Sequence, residues 1–244
     1  MKFEKYLQMP GIGSSSIKNF MDSPYTYKFR KDNPIEETPS MRLGTAIHTI
    51  MLERDEFFDR YILEQKFDRR TKAGKEGYAA FLEKANGRIV LTEKEYEKIS
   101  RFENAITFDM SHAITEHSVF WETEGMQAKS RFDLIHIDSI FDIKTTSNIH
   151  NFEREVVKYK YYVQAAFYWD AFRYEYGRDP EDFNFIAVST QAPFETAMFK
   201  MSPEYIEYGR NCYKEALERL KECIRTDCYP MMQGRELLIP SYFL

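Results

Sequence analysis

The stretch from Glu116 to Lys144, EHSVFWETEGMQAKSRFDLIHIDSIFDIK, constrains the fold more than any other part of the chain. It is rich in β-branched and aromatic residues and has turn signals near Glu124-Gly125 and Asp138-Ser139. That pattern predicts three antiparallel strands in a meander. Helical patterns flank it. In GIGSSSIKNFMDSP, serines able to cap a helix precede Ile17, Phe20 and Met21 at helical spacing, and Pro24 supplies a stop. From about Ser40 to Arg54, Leu43, Ile47, Ile50 and Met51 repeat at intervals of three and four, with Gly44 and His48 on one face. Helices are also predicted around Tyr78 to Lys84 and Thr92 to Thr107, the second opening on a Thr92/Glu95 capping pattern.

Beyond the meander, a long helix is predicted from Phe152 to Tyr176, closed by Gly177 and Pro180. Strands follow near Phe183 to Thr190 and Thr196 to Met201, then an amphipathic helix from Pro203 to Ile224 with Ile206, Tyr213, Leu217 and Leu220 among its apolar positions. A sheet bracketed by helices buries its faces against them, which is an α/β fold with a central mixed sheet. The 244 residues correspond to about 1.6 domains at roughly 150 residues each. With no repeat, low-complexity tract or linker, the expectation is one domain over 1–244, enlarged by helical amino- and carboxy-terminal additions.

The formal charge of -5 excludes a protein that coats nucleic acid by bulk positive charge, though not one with a local basic groove. No stretch approaches the ~18 apolar residues of a membrane span, and MKFEKYLQMP lacks the apolar run of a signal peptide, so a cytoplasmic chain with no membrane partner is expected. Cys212, Cys223 and Cys228 are odd in number and clustered late in the chain, which suits reduced thiols.

Chemistry concentrates at the end of the meander. Residues two apart on a strand share a face, so Asp142 and Lys144 project together while Phe141 and Ile143 point the other way. A two-residue hairpin within Ile137 to Ser139 puts Asp133 opposite either Asp142 or Lys144, on their face in both registers. Two adjacent carboxylates repel, and a divalent cation with a preference for oxygen ligands, Mg2+ or Mn2+, offsets that cost. An arbitrary Asp-x-Lys is more often a cross-strand salt bridge on a solvated face.

The context shifts that balance. Asp133 and Asp142-Ile143-Lys144 lie between a helix carrying GTAIHTIMLE and one carrying Gln164-Ala-Ala-Phe-Tyr168. Seven segments occur in order: SSSIKNFMDSPYTY, RLGTAIHTIMLE, DRRTKAGK, EHSVFW, KSRFDLI, FDIKTT and YYVQAAFYWDAF. Together they resemble the PD-(D/E)XK nuclease superfamily, and within it the RecB-type nuclease branch that includes the phage and prophage exodeoxyribonuclease VIII (RecE)-like proteins.

The resemblance implies a restriction-endonuclease-like fold and a Mg2+-dependent exodeoxyribonuclease, with Mn2+ as the alternative ion. It acts on linear double-stranded DNA, 5′ to 3′, in phage-type recombination. It further implies a homo-oligomeric ring and a single-strand annealing protein as partner. Asp133 and Asp142 become metal ligands, joined by the Ile143 backbone carbonyl and His48, with Glu116 as a weaker acidic member. Lys144 becomes the catalytic lysine, and Gln164 and Tyr168 the Gln-x-x-x-Tyr element beside the active site. Glu53 is read as a structural residue closing its helix.

Arg42, Arg69, Arg70, Lys72, Lys75, Lys129 and Arg131 are the candidate DNA-facing cations, the run from Arg69 to Lys75 forming an exposed basic loop. Ser14, Ser15, Ser16 and Lys18 are assigned to the DNA end through the same resemblance. The competing readings are an endonuclease or single-strand nuclease on this fold, and a DNA-end-binding module without catalysis. The chain lacks G-x-x-x-x-G-K-[ST], so an ATP-driven helicase is not expected.

Overall fold

In the computed structural model, which describes residue 1 and residues 3–231, the chain opens with α1 (Phe3–Gln8), α2 (Ser14–Asp22) and α3 (Pro24–Asp32). Residues 232–244 of the expected domain lie outside the described residues. Then come α4 (Pro39–Leu52), α5 (Arg54–Arg60), β1 (Tyr61–Leu63), α6 (Lys72–Ala85), β2 (Ile89–Leu91) and α7 (Glu93–Ser100). The meander is β3 (Ile114–Thr123), β4 (Met126–His136) and β5 (Ser139–Thr146). It leads to α8 (Phe152–Lys158), α9 (Tyr161–Tyr176), β6 (Phe183–Ser189), β7 (Thr196–Lys200) and α10 (Pro203–Thr226).

Both hairpins of the meander turn through two residues with positive φ, Glu124-Gly125 (49° and 67°) and Ile137-Asp138 (43° and 64°). That geometry matches the twist of the strands it joins and fixes their register. Ser118 faces Arg131, and Leu134 faces Phe141. Continued by one residue, the second ladder sets Asp133 against Asp142, one of the two registers expected.

The main sheet has the order β3-β4-β5-β6-β7, antiparallel except for the parallel β5–β6 pair. Every residue of β6 is buried, as a strand covered on both faces requires, whereas the edge strand β7 alternates. One face packs Phe132, Phe183 and Phe185 against Phe20, Phe152, Phe167, Tyr213 and Leu217 of α2, α8, α9 and α10. The other packs Leu134, Ile143 and Val188 against Ile47, Ile50, Phe57 and Ile99 of α4, α5 and α7. The result is the expected mixed sheet flanked by helices. At Gly209 the α9–α10 packing is so close that a Cβ would sit 2.1 Å from the Tyr162 carbonyl oxygen. No described helix is long and apolar enough to cross a membrane.

Several predicted boundaries move. The Thr92 capping box is present, but α7 stops at Ser100 instead of Thr107, and the following turn puts Phe102 into the second core. The single helix expected over Phe152 to Tyr176 is two, broken at Lys160, whose φ is 52°. Lys72 and Lys75 belong to the first turn of α6, capped by Thr71, so only the first part of the basic run is loop. The parallel pair β1–β2 has three residues per strand, too few for a detectable period. Glu53 is the C-cap of α4 and pairs with Arg60 at 2.8 Å, the structural role expected of it.

Candidate active site

Asp133 stands where the β4–β5 ladder gives out. The last backbone pair is Leu134↔Phe141. One step on, the Asp133 carboxylate takes over from the backbone, accepting the Ile143 N–H at 2.7 Å on Oδ2. On the other side of β4, Glu116 interrupts the β3 ladder between Thr115↔Leu134 and His117↔Phe132 and has a φ of 52°. Left-handed geometry is uncommon for a residue with a side chain, and here it marks the place where an acid is turned toward the site. From the other layer, α4 delivers His48, whose Nδ1 lies 3.5 Å from Asp133 Oδ2.

His48, Glu116 and Asp133 thus offer one nitrogen and two carboxylates, with donor atoms within 4.8 Å of one another. Burial and the neighbouring Asp142 charge push the Asp133 carboxyl up to about 8. Burial, then Asp133, raises Glu116 against the opposing pull of Arg131. Burial, then Lys144, lowers His48, while the Ile143 backbone accepts a hydrogen bond that favours the cation. Crowded acids beside a neutral imidazole are the donor set that a divalent cation satisfies, so the residues fit such an ion.

Asp142 is turned to a different set of partners. It is 1% exposed; Lys144 Nζ contacts Oδ2, and the Gln164 amide donates to Oδ1 at 2.6 Å. Lys18 of α2 donates to the Gln164 carbonyl oxygen at 3.3 Å, which fixes the amide orientation. Burial, and next the Lys144 charge, push the Lys18 ammonium down to about 8. Tyr168, one turn after Gln164 on α9, is buried, and burial, then the Asp142 charge, holds its hydroxyl well above its ordinary range. The expected pair Asp133 and Asp142 is therefore divided: Asp133 joins His48 and Glu116, while both Asp142 oxygens are engaged by Lys144 and Gln164.

A cavity of about 1090 Å3 opens over the cluster. Its walls include His48, Glu116, Asp133 and Tyr168, the helix-opening segment Gly13 to Ser16, and Gly44 one turn before His48. No side chain caps the N-terminus of α2, whose first residues line this space.

The basic residues are distributed differently from expectation. Arg131 is 6% exposed, lines the cavity, pairs with Glu116 and donates to the Met1 carbonyl (2.8 Å) and Ser118 (3.0 Å), so it balances the acids at the site. Lys129 spends its three donors on the carbonyls of Tyr6, Leu7 and Met9 at 3.1, 3.0 and 2.7 Å, closing the C-terminal end of α1. Arg42 pairs with Glu95, Arg70 with Asp68, and Arg69 with Glu64 while lying over the Tyr78 ring. Of the expected cations, Lys129 and Arg131 line the cavity and Arg42, Arg69, Arg70, Lys72 and Lys75 do not; Arg60 and Arg88 line it as well, and no motif pointed to either. Lys18, assigned with the serines to the DNA end, reaches Gln164 beside Asp142.

A search of curated proteins returns no significant sequence match. Among solved structures, a candidate exonuclease from Eubacterium rectale superposes with a TM-score of 0.67 at 14% identity, covering 98% of this chain and 95% of that one. At that identity the likeness shows the fold alone. A phage-related exonuclease from Haemophilus somnus 129PT covers 91% of this chain and 99% of its own at 10% identity, with a TM-score of 0.30 that carries no argument. The family model described as a PDDEXK-like domain of unknown function (DUF3799) matches residues 13–236. That match spans most of the chain, which therefore belongs to the family of PDDEXK-like domains of unknown function, DUF3799.

Proposed function

We propose that the protein is a Mg2+-dependent exodeoxyribonuclease, with Mn2+ able to substitute, that hydrolyses linear double-stranded DNA from its ends. One observation carries the reading: the His48, Glu116 and Asp133 donor cluster lines a cavity, and the Asp142, Lys144 and Gln164 network adjoins it on β5, where Ile143 N–H donates to Asp133. A module that only binds DNA has no use for three crowded acids beside a lysine. His48, Glu116 and Asp133 hold the ion, with Asp142 and the Ile143 carbonyl beside them. A cation bound there supplies Lewis-acid polarisation of the phosphodiester and neutralises charge on it.

The chain's own groups do the rest. Lys144, ion-paired with Asp142, orients the attacking water and offsets charge growing on the phosphate oxygens; the water's oxygen bonds phosphorus as the bond to the leaving oxygen breaks, the water's proton passing to solvent and solvent protonating the leaving oxygen. Gln164 keeps Asp142 in position, and Lys18 keeps Gln164 so. Tyr168 and the first residues of α2 line the cavity, where a terminal nucleotide and its phosphate are bound.

The 5′ to 3′ polarity, the role in phage-type recombination, the homo-oligomeric ring and the annealing partner belong to the same reading. They rest on the motif resemblance.

Incubating linear duplex, closed circular duplex and single-stranded DNA with Mg2+, for wild type and Lys144→Ala, tests the proposal. Degradation of linear duplex alone, lost in the variant, is expected. Cutting of the closed circle would make it an endonuclease, preference for single strands a single-strand nuclease, and binding without metal-dependent degradation a DNA-end-binding module.

A further inference from the structure

The joint between α8 and α9 interleaves cations and rings: Lys158, Tyr159, Lys160, Tyr161. Lys160 interrupts what would be one continuous helix by taking a left-handed φ of 52°. Such a conformation costs energy in a residue with a side chain, and here it leaves Tyr159 45% exposed at the corner.

The corner is joined to the catalytic lysine by an unbroken line of contacts. Lys144 Nζ lies 5.1 Å from the Tyr161 ring centre, and Lys18 Nζ 5.3 Å from the same ring. The Tyr161 and Tyr159 rings are 5.6 Å apart at 34°, and Lys158 Nζ stands 4.9 Å from the Tyr159 ring. Lys160 meets Asp22, itself more than half exposed. In a chain of net charge -5, a ring at the surface with lysines on either side, joined to the reactive lysine through the neighbouring Tyr161 ring, has the makeup of a single-strand binding surface. Aromatic faces stack bases of any sequence, and ammonium groups track the backbone.

We infer that Tyr159, with Lys158 and Lys160, binds an unpaired nucleotide of the DNA substrate beside Lys144. The base stacks on the Tyr159 ring, and the phosphates on either side lie against the two ammonium groups. The inference rests on the nuclease reading and deepens it, because it places the strand that leaves the duplex next to the reactive lysine.

The test is equilibrium binding in EDTA, where hydrolysis is blocked, using blunt duplex and the same duplex with a 5′ or 3′ single-stranded tail containing 2-aminopurine. Tyr159→Ala is expected to weaken binding of at least one tailed duplex by about 5- to 100-fold and that of blunt duplex by less than about twofold. Wild type and Tyr159→Trp quench the 2-aminopurine; Tyr159→Ala does not. The double variant Lys158→Gln, Lys160→Gln lowers the slope of log affinity against log salt by about one to two.

Binding of both tailed duplexes by Tyr159→Ala within twofold of wild type, or an equal loss on blunt and tailed duplex, overturns the stacking site. An unchanged salt slope overturns the role of the lysines. Hydrolysis of linear DNA with Mg2+ is followed in parallel. If wild type cuts DNA while Tyr159→Ala binds tails normally, this site alone is refuted; if wild type neither binds nor cuts DNA, the nuclease reading falls and the site with it.

Discussion

Asp133→Asn is expected to stabilise the metal-free protein while abolishing its hydrolytic activity. Asparagine keeps an oxygen that can accept the Ile143 N–H, bonded at 2.7 Å in the parent, and removes only the charge. The Asp133 carboxyl is pushed up to about 8 by burial and by Asp142, from an unfolded value near 4. Between those values the folded state holds the proton and the unfolded state does not. Folding therefore binds protons, and stability falls as pH rises through the window.

Converted in full at ~1.4 kcal/mol per tenfold change in proton affinity, the rise would cost the fold ~6 kcal/mol at pH 8. The side chain is 15% exposed and opens onto the cavity, where water reaches the charge, so the ~1–3 kcal/mol found for poorly compensated buried polar groups is the better figure. At ~2–4 °C per kcal/mol for a chain of this size, the variant melts about 2–12 °C above wild type at pH 8 in EDTA. The gap closes toward pH 4. Saturating Mn2+ at a hundred times its dissociation constant raises the wild-type stability by ~2.7 kcal/mol and leaves the variant unchanged. Calorimetry across pH 4 to 8, with and without Mn2+, reads all three outcomes. A variant that melts below wild type at pH 8, or a gap that does not vary with pH, would refute the view that the acids strain the metal-free fold.

Gln164→Leu removes the amide that holds Asp142 Oδ1, and metal-dependent hydrolysis should fall about 10- to 100-fold with the melting temperature little changed, as measured by single-turnover kinetics. Arg131→Met leaves Glu116 charged and half-buried beside Asp133, and should cost about 3 kcal/mol in urea unfolding, with Glu116→Gln in the same chain restoring most of it. Gly209→Ala forces α10 off the Tyr162 carbonyl and should cost ~1–3 kcal/mol by chemical denaturation, with lower activity because Gln164 and Tyr168 ride on the displaced α9.

The sequence by itself determined whatever is written locally. Alternation and turn residues specified β3, β4 and β5 and put Asp133 on the face of Asp142 and Lys144; the positive-φ turn Ile137-Asp138 then selected, of the two registers left open, the one that sets it against Asp142. The spacing of Ile206, Tyr213, Leu217 and Leu220 specified the buried face of α10 in the same way. Ordered motifs were enough to mark Asp133, Asp142, Lys144, Gln164 and Tyr168 as one neighbourhood, because each keeps a fixed place on its own strand or helix.

Tertiary structure decided which of those groups share a partner. That His48 reaches Asp133 while Asp142 turns to Lys144 and Gln164 depends on how α4 and α9 cross opposite faces of the sheet, and such crossings are settled by packing between residues far apart in sequence. Glu116 enters the cluster because the β3–β4 register, between Thr115↔Leu134 and His117↔Phe132, stands it opposite Asp133, a pairing that composition alone does not signal. Charge showed the same limit. Arg131 and Lys129 alternate with other polar residues along β4 just as exposed cations do, yet one is bound to a buried acid and the other to the end of α1. A sequence specifies that a cation exists and which way its own strand faces; what stands opposite it is fixed by the packing of other elements, and for ionised groups that neighbour decides the energy.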